Sequence, residues 1–172
     1  MLRATTATLI AMMSTGAASA EGAYLGYGLA NVNSEQPGVN WGSTNAILML
    51  GYEVNDYLSL EGELSIPISD GKIIVRGISI DIGNEHMGAF AKLTLPTSGS
   101  IKPYARLGMV RGSYSMSSGG ASFNAPDASA FAYGFGAEWE YSENKGIRLD
   151  YAVADFDITD SEIIAITSVY RF

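Results

Sequence analysis

The sequence predicts an all-β fold, an eight-stranded antiparallel up-and-down transmembrane β-barrel, on three observations. Eight segments alternate apolar residues with small or polar ones at a period of two, each bounded by Gly, Pro, Asn, Asp or Ser. The last of them stops on Phe172 with Tyr170 two residues before it, so an aromatic face runs to the end of the sequence. Past the N-terminal stretch there is neither a sustained helical period nor an apolar run of about 18 residues, so no helical span is written into the chain.

The N-terminal stretch reads as a secretory signal peptide over residues 1–20. Met1-Leu2-Arg3 supplies a positive start, Leu9-Ile10-Ala11-Met12-Met13 an apolar core, and Ala18-Ser19-Ala20 a small-residue cleavage site, leaving 21–172 as one barrel domain. The chain has no cysteine, which excludes a disulfide scaffold, a lipid anchor on cysteine and thiolate metal sites. Its formal net charge of -8, one unit more negative once Arg3 is removed, disfavours nucleic acid as a partner. No cofactor and no metal is expected, and Gly26 and Gly28 sit inside a strand rather than in a phosphate loop.

The first segment, from Ala23 to Ala30, places Ala23, Leu25, Tyr27 and Leu29 on one face and Tyr24, Gly26, Gly28 and Ala30 on the other. The second, from Thr44 to Val54, sets Ala46, Leu48, Leu50 and Tyr52 against Met49, Gly51 and Glu53. An Asn55-Asp56 turn leads to the third, Tyr57 to Ile66, where Leu58, Leu60, Leu64 and Ile66 oppose Ser59, Glu61, Glu63 and Ser65. The fourth, His86 to Leu95, opposes Met87, Ala89, Ala91, Leu93 and Leu95 to Phe90, Lys92 and Thr94, and ends at Pro96. In the fifth, Ile101 to Arg111, Pro103, Ala105, Leu107 and Met109 face away from Lys102, Tyr104, Arg106 and Gly108. The sixth is the most regular: Phe131, Tyr133, Phe135, Ala137, Trp139 and Tyr141 oppose Ala132, Gly134, Gly136, Glu138 and Glu140. The seventh, Gly146 to Phe156, sets Ile147, Leu149, Tyr151 and Val153 against Arg148, Asp150, Ala152 and Ala154. The eighth separates Ile164, Ile166, Ser168, Tyr170 and Phe172 from Ala165, Thr167, Val169 and Arg171.

Such alternation fits a soluble barrel or sandwich that buries its apolar face, or a membrane barrel that turns that face to lipid. The other face favours the second, because Gly, Ala, Ser and a few charges of both signs suit a narrow interior better than a solvated surface. Tyr52, Trp139, Tyr141, Tyr170 and Phe172 stand beside the short turns, as an aromatic girdle at one membrane interface requires. The short turns after the second, fourth and sixth segments are expected in the periplasm, and the longer connections outside.

Taken in order, Gly51-Tyr52-Glu53-Val54-Asn55 running into Leu60-Glu61, Ala91-Lys92-Leu93, Tyr104-Ala105-Arg106-Leu107-Gly108, Gly136-Ala137-Glu138-Trp139, Ile147-Arg148-Leu149-Asp150-Tyr151 and Val169-Tyr170-Arg171-Phe172 resemble the OmpA-type outer-membrane barrels, a group that includes OmpX-like and opacity proteins. The resemblance implies the Gram-negative outer membrane, contact with its lipid and lipopolysaccharide, and recognition of the closing strand by the barrel assembly machinery. It covers the barrel alone, so the peptidoglycan-binding domain of OmpA and its cell-wall anchoring are not expected. It also implies a lumen ion-pair network of Glu61, Lys92, Arg106, Glu138 and Arg148, with Glu63, Glu140 and Asp150 on the same inward faces. Buried charges need partners of opposite sign, so a mixed cluster is the stable arrangement. One reading makes it a gate, Glu61 or Glu138 exchanging between Arg148 and Lys92 to open a narrow pore for water or small ions. The favoured reading is a static plug, since eight strands leave room for little besides side chains.

Function on such a scaffold falls to the connections. Residues 31–43 and 113–129 read as loops without a motif, and Asp155, Asp157, Asp160 and Glu162 as a solvated acidic loop without a calcium-binding pattern. The segment from Ile68 to Gly83 differs, because its stretch from Lys72 to Ile82 is too rich in β-branched residues for a solvated loop. It is expected to prolong strands three and four beyond the membrane, as an edge for β-augmentation by a surface protein partner or as a flap over the mouth. A structural or adhesin-like role follows, in keeping with OmpX-like proteins. An enzyme is not expected: lipid A-modifying barrels use a His with Ser or an acid, and the single histidine, His86, stands at a strand end without a His-x-Ser pattern and reads as a solvated group.

Overall fold

The structure is a computed structural model that describes residues 22–36, 39–75, 77–119, 121–124, 126–156 and 159–172. The expected signal peptide and Asp157 lie outside these residues. Ten strands follow in order: β1 (Ala23–Gln36), β2 (Val39–Glu53), β3 (Leu58–Ser69), β4 (Gly71–Val75), β5 (Ile78–Thr94), β6 (Ile101–Ser118), β7 (Ala121–Asn124), β8 (Ala128–Ser142), β9 (Lys145–Phe156) and β10 (Thr159–Arg171). All pairings are antiparallel, and the ring runs β1, β2, β3, β5, β6, β8, β9, β10 and back to β1. The seam extends from Tyr24 opposite Arg171 to Glu35 opposite Asp160, and the Phe172 N–H donates to the Ala23 carbonyl at 3.1 Å. Strands β4 and β7 are not further staves of the ring; they pair with the outer parts of β5 and β6 and prolong the barrel at one end. The fold is therefore the closed eight-stranded barrel the alternation predicts, and closure pairs the edges an open sheet would leave free.

Three short turns and both described chain ends share one end of the barrel. In the first turn the Asn55 side chain accepts the N–H groups of Tyr57 and Leu58, each at 2.9 Å, which fixes the chain reversal. The opposite, open end carries the long hairpins. There the strands outrun their expected limits: β1 reaches Gln36, β2 begins at Val39, β5 begins at Ile78 and β6 reaches Ser118. Residues 31–43 and 113–129 are thus mostly ladder, and the acidic run is partly strand, with Asp155 opposite Asp160. Composition misplaced these limits because every backbone N–H and C=O needs a partner whatever its side chain, and a neighbouring strand supplies one. Within the segment 68–83, Ile68 and Ser69 end β3, and Gly71 to Val75 pair with Ile78 to Ile82 as the β4–β5 hairpin, where Gly77 has a left-handed φ of 82°.

The faces alternate as the sequence requires. Leu60, Leu107, Phe135 and Leu149 point outward and are exposed, whereas Glu61, Arg106 and Arg148 point inward and are buried. Apolar groups outside and charges inside is the arrangement expected of a chain whose outer solvent is lipid.

A candidate functional site in the barrel interior

The interior is divided along its axis. Toward the short-turn end it holds ionisable groups; toward the open end it holds two apolar clusters, one of Ala30, Val32, Ile47, Ala152, Ile163 and Ala165, the other including Phe90, Val110, Ala132, Ala154 and Phe156. Beside them runs a neutral polar strip in which Asn45 donates to Ser65 at 2.9 Å and to the Asn84 carbonyl at 2.7 Å, and Ser34 meets Ser161 at 2.9 Å.

Arg148 anchors the ionic part. From β9 its Nη1 reaches Glu61 Oε1 on β3 at 2.6 Å, its Nη2 reaches Asp150 Oδ1 at 3.0 Å, and its Nε donates to the Tyr104 hydroxyl at 3.0 Å. Arg106 lies next along the axis, with Nη1 2.6 Å from Glu63 Oε2 and Nε 3.6 Å from Asp150 Oδ1. Lys92 stands between Glu61 (3.6 Å) and Glu138 (3.8 Å), over the faces of Tyr24 and Tyr104. Arg171 closes the short-turn end, its Nη2 2.7 Å from Glu138 and 3.2 Å from Glu140, and its Nε 3.0 Å from Glu53. Within the barrel, Arg106, Arg148, Lys92 and Arg171 balance Glu61, Glu63, Glu138 and Asp150. Such pairing offsets the desolvation of several kcal/mol that each buried ion incurs.

All five residues expected in the lumen are therefore buried and in one cluster, with Glu63 and Asp150 among them and Glu140 at its edge. One pairing differs from the ladder: Glu138 lies directly across from Arg148 in the β8–β9 register, yet its carboxylate turns to Lys92 and Arg171. Two tyrosines complete the network. Tyr24 donates to Glu61 at 2.6 Å and Tyr104 to Asp150 at 2.5 Å. Both occupied inward positions in the sequence, but neutral side chains carry no charge signal to single them out. Gly51 makes room for Tyr24, because a Cβ there would fall inside the ring.

The expectation that His86 is a solvated group is wrong. His86 is buried, 4 % exposed, with Nε2 3.5 Å from Glu63 Oε1. Because β5 continues well past His86, the position is mid-strand, and it shares inward parity with Gly88, Phe90 and Lys92. That parity was the available signal.

The five residues expected in the girdle, Tyr52, Trp139, Tyr141, Tyr170 and Phe172, are exposed on the outer face near the short turns, where Trp139 packs on Tyr141 (5.8 Å between centroids) and Tyr170 on Phe172 (5.4 Å). A vestibule of about 480 Å³ opens at the same end and is lined by Glu53, Lys92, Tyr104, Glu138 and Arg171 among others. Deeper in, beside His86 and Asn84, lies a void of about 10 Å³, space for roughly one water.

Residues 4–172 match the model of a family described as outer membrane protein beta-barrel domain. Among solved structures, Neisserial surface protein A superposes with a TM-score of 0.76 at 15% identity, over 88% of this chain and 98% of that one. Ail, the attachment invasion locus protein of Yersinia pestis, superposes at 0.62 with 21% identity, over 89% and 100%. A second structure of Ail, in complex with the heparin analogue sucrose octasulfate, gives 0.66 at 20% identity, over 89% and 100%. These identities bear on the fold. Curated protein sequences give no match.

Proposed function

The chain belongs to the outer membrane protein β-barrel family, and on that premise we propose that it is a small integral outer-membrane barrel with a filled lumen and a surface-interaction role. The observation that carries this reading is the length of β5 and β6, 17 and 18 residues, against the roughly 9–11 that a tilted strand needs to cross a bilayer. The excess, with β4 and β7, stands at the open end, which we place outside the cell, with the short turns and their aromatic girdle at the periplasmic interface. The outer wall meets lipid and lipopolysaccharide, β10 is the strand read by the assembly machinery, and residues 1–20 are a leader removed after Ala20.

Attachment is the activity carried by Ail's own name, and it fits a hairpin held above the membrane. The ligand's charge is expected to differ from that of the sulfated sugar bound by Ail, because the open end here is acidic: Glu35, Asp70, Glu85, Asp155, Asp160 and Glu162 are exposed, and Lys72 and Arg111 are paired to Asp81 and Asp127. Deleting residues 72–82 is expected to abolish adhesion of cells expressing the protein while the purified barrel keeps heat-modifiable gel mobility; adhesion unchanged by the deletion removes the surface role. A lipid A-modifying role is not proposed, since His86 faces into the barrel, away from lipid.

Glu61 touches both Arg148 and Lys92, which favours a second reading, a narrow gated pore. The packing above the network opposes it, because beside His86 and Asn84 the apolar clusters and the polar strip leave a void of only about 10 Å³. Planar bilayers are expected to stay silent with both the native protein and Arg148→Ala; discrete conductance steps in the variant would instead support the gate.

A further inference from the structure

The ring has eight junctions between neighbouring strands, and the chain itself bridges seven of them through a turn or a hairpin. The eighth, between β1 and β10, is held only by its ladder and by side chains. At the short-turn end that ladder runs out where the Phe172 N–H meets the Ala23 carbonyl, and the last bonds of a ladder are the first to open. One step in, on the lumen side, Tyr24 of β1 lies opposite Arg171 of β10.

The lumen ion pairs differ in which strands they join. Most tie a strand to its neighbour or to the next but one without crossing the seam, as Lys92 does with Glu61 and Glu138, and Arg106 with Glu63 and Asp150. Arg148 and Glu61 stand on opposite walls and span the diameter. Among the described residues, only Arg171 and Glu53 form an ion pair whose shorter way round the ring runs through the seam.

Arg171 is gripped from both sides. Two strands away on β8, Glu138 and Glu140 take its Nη2 at 2.7 and 3.2 Å; two strands away on β2, Glu53 takes its Nε at 3.0 Å. Its guanidinium carbon lies 6.0 Å from the centre of the Tyr24 ring, and its backbone N–H donates to the Asn144 carbonyl at 2.9 Å. One planar group with donors on more than one edge thus ties together β8, β9, β10, β1 and β2.

We propose that Arg171 is the clasp of the barrel. Its partners on β8 belong to strands that are joined to β10 through β9, so they can hold the guanidinium before the ring closes. Glu53 comes within reach only when β1 pairs with β10. The pair that forms last therefore pins the one unlinked junction at the end where its ladder stops. With its side chain 17% exposed, Arg171 is screened less than a surface cation. This device goes beyond the surface-interaction reading and does not depend on it.

The test is amide hydrogen exchange of the full barrel in lipid nanodiscs, followed residue by residue by NMR. Glu53→Ala and Glu140→Ala make a matched pair: both carboxylates touch Arg171, their side chains are 36% and 31% exposed, and only Glu53 reaches it across the seam. Glu53→Ala is expected to speed exchange of the seam amides of Leu25 and Tyr170 by about fivefold, while amides between β5 and β6, away from the seam, keep their rates. Glu140→Ala is expected to leave the seam amides near their native rates. Arg171→Gln is expected to repeat the Glu53→Ala pattern at least as strongly; heat-modifiable mobility checks folding, and if Arg171→Gln does not fold, Glu53→Ala decides. Unchanged seam exchange in Glu53→Ala, equal acceleration by Glu140→Ala, or equal acceleration all round the ring overturns the clasp.

Discussion

Arg148→Ala is expected to destabilise the folded barrel by about 3–5 kcal/mol, the range for removing one member of a buried ion pair and stranding the other. Arg148 is 1% exposed and is the common partner of Glu61 and Asp150, with Tyr104 and the Met49 sulfur on its remaining donors. Without it, Glu61 keeps the Tyr24 hydroxyl at 2.6 Å but as cations only Lys92 at 3.6 Å and Arg106 at 4.0 Å, and Asp150 keeps Arg106 at 3.6 Å and the Tyr104 hydroxyl. Equilibrium urea unfolding from lipid vesicles, followed by tryptophan fluorescence, reads the loss. Adding Glu61→Gln to the same chain is expected to recover part of it, because the worst-stranded carboxylate is then gone. A midpoint that does not move would mean that water rising from the short-turn vestibule solvates the carboxylates, and the lumen would then be wetter than its packing implies.

The sequence carried the faces more clearly than the lengths. A charge at an inward position is conspicuous in a strand of Gly, Ala and Leu, so Glu61, Lys92, Arg106, Glu138 and Arg148 stood out, and closure brings them together. Tyr24, Tyr104 and Asn45 hold the same cluster or its neighbour in place but alternate like any strand residue. Strand limits were not legible where Asn, Ser and Gly continue a ladder above the membrane, as along β1 from Asn31 to Gln36 and along β6 from Ser113 to Ser118. Those residues mark turns when they reverse the chain; here a paired neighbour holds them extended. His86 was misplaced for the same reason: once β5 was cut short, a mid-strand residue became a strand end.

At the top of β5 the alternation reverses, Ser79 and Asp81 facing out and Ile78, Ile80 and Ile82 in, and this follows from the same physics as the barrel. Where the outer wall faces lipid it must be apolar, and where it faces water it must not be, so one strand reverses its pattern as it leaves the bilayer. In β5 the reversal falls between Ile82, inward and buried, and Met87, outward and exposed. Within those few residues Asn84 and His86 point inward, and Glu85 is the first exposed charge on the outer side above Met87.

Depth along the outer wall is therefore the quantity that a second substitution can measure. Phe135 lies on β8, four residues from Trp139 toward the short turns and four from Phe131 toward the open end, with Tyr151 and Ala105 across from it. That position is the middle of the apolar band. Phe135→Arg is expected to cost about 2–4 kcal/mol, as a guanidinium at the bilayer midplane does, while Tyr170→Arg, in the girdle, is expected to cost about 0–1 kcal/mol. Unfolding both variants from vesicles and subtracting gives the difference without reference to an absolute stability. In detergent micelles, which deform readily around a charge, the gap is expected to shrink. Equal costs in vesicles would place Phe135 near an interface. The band would then be centred nearer the open end, and the length of β5 and β6 left beyond the membrane would be correspondingly shorter.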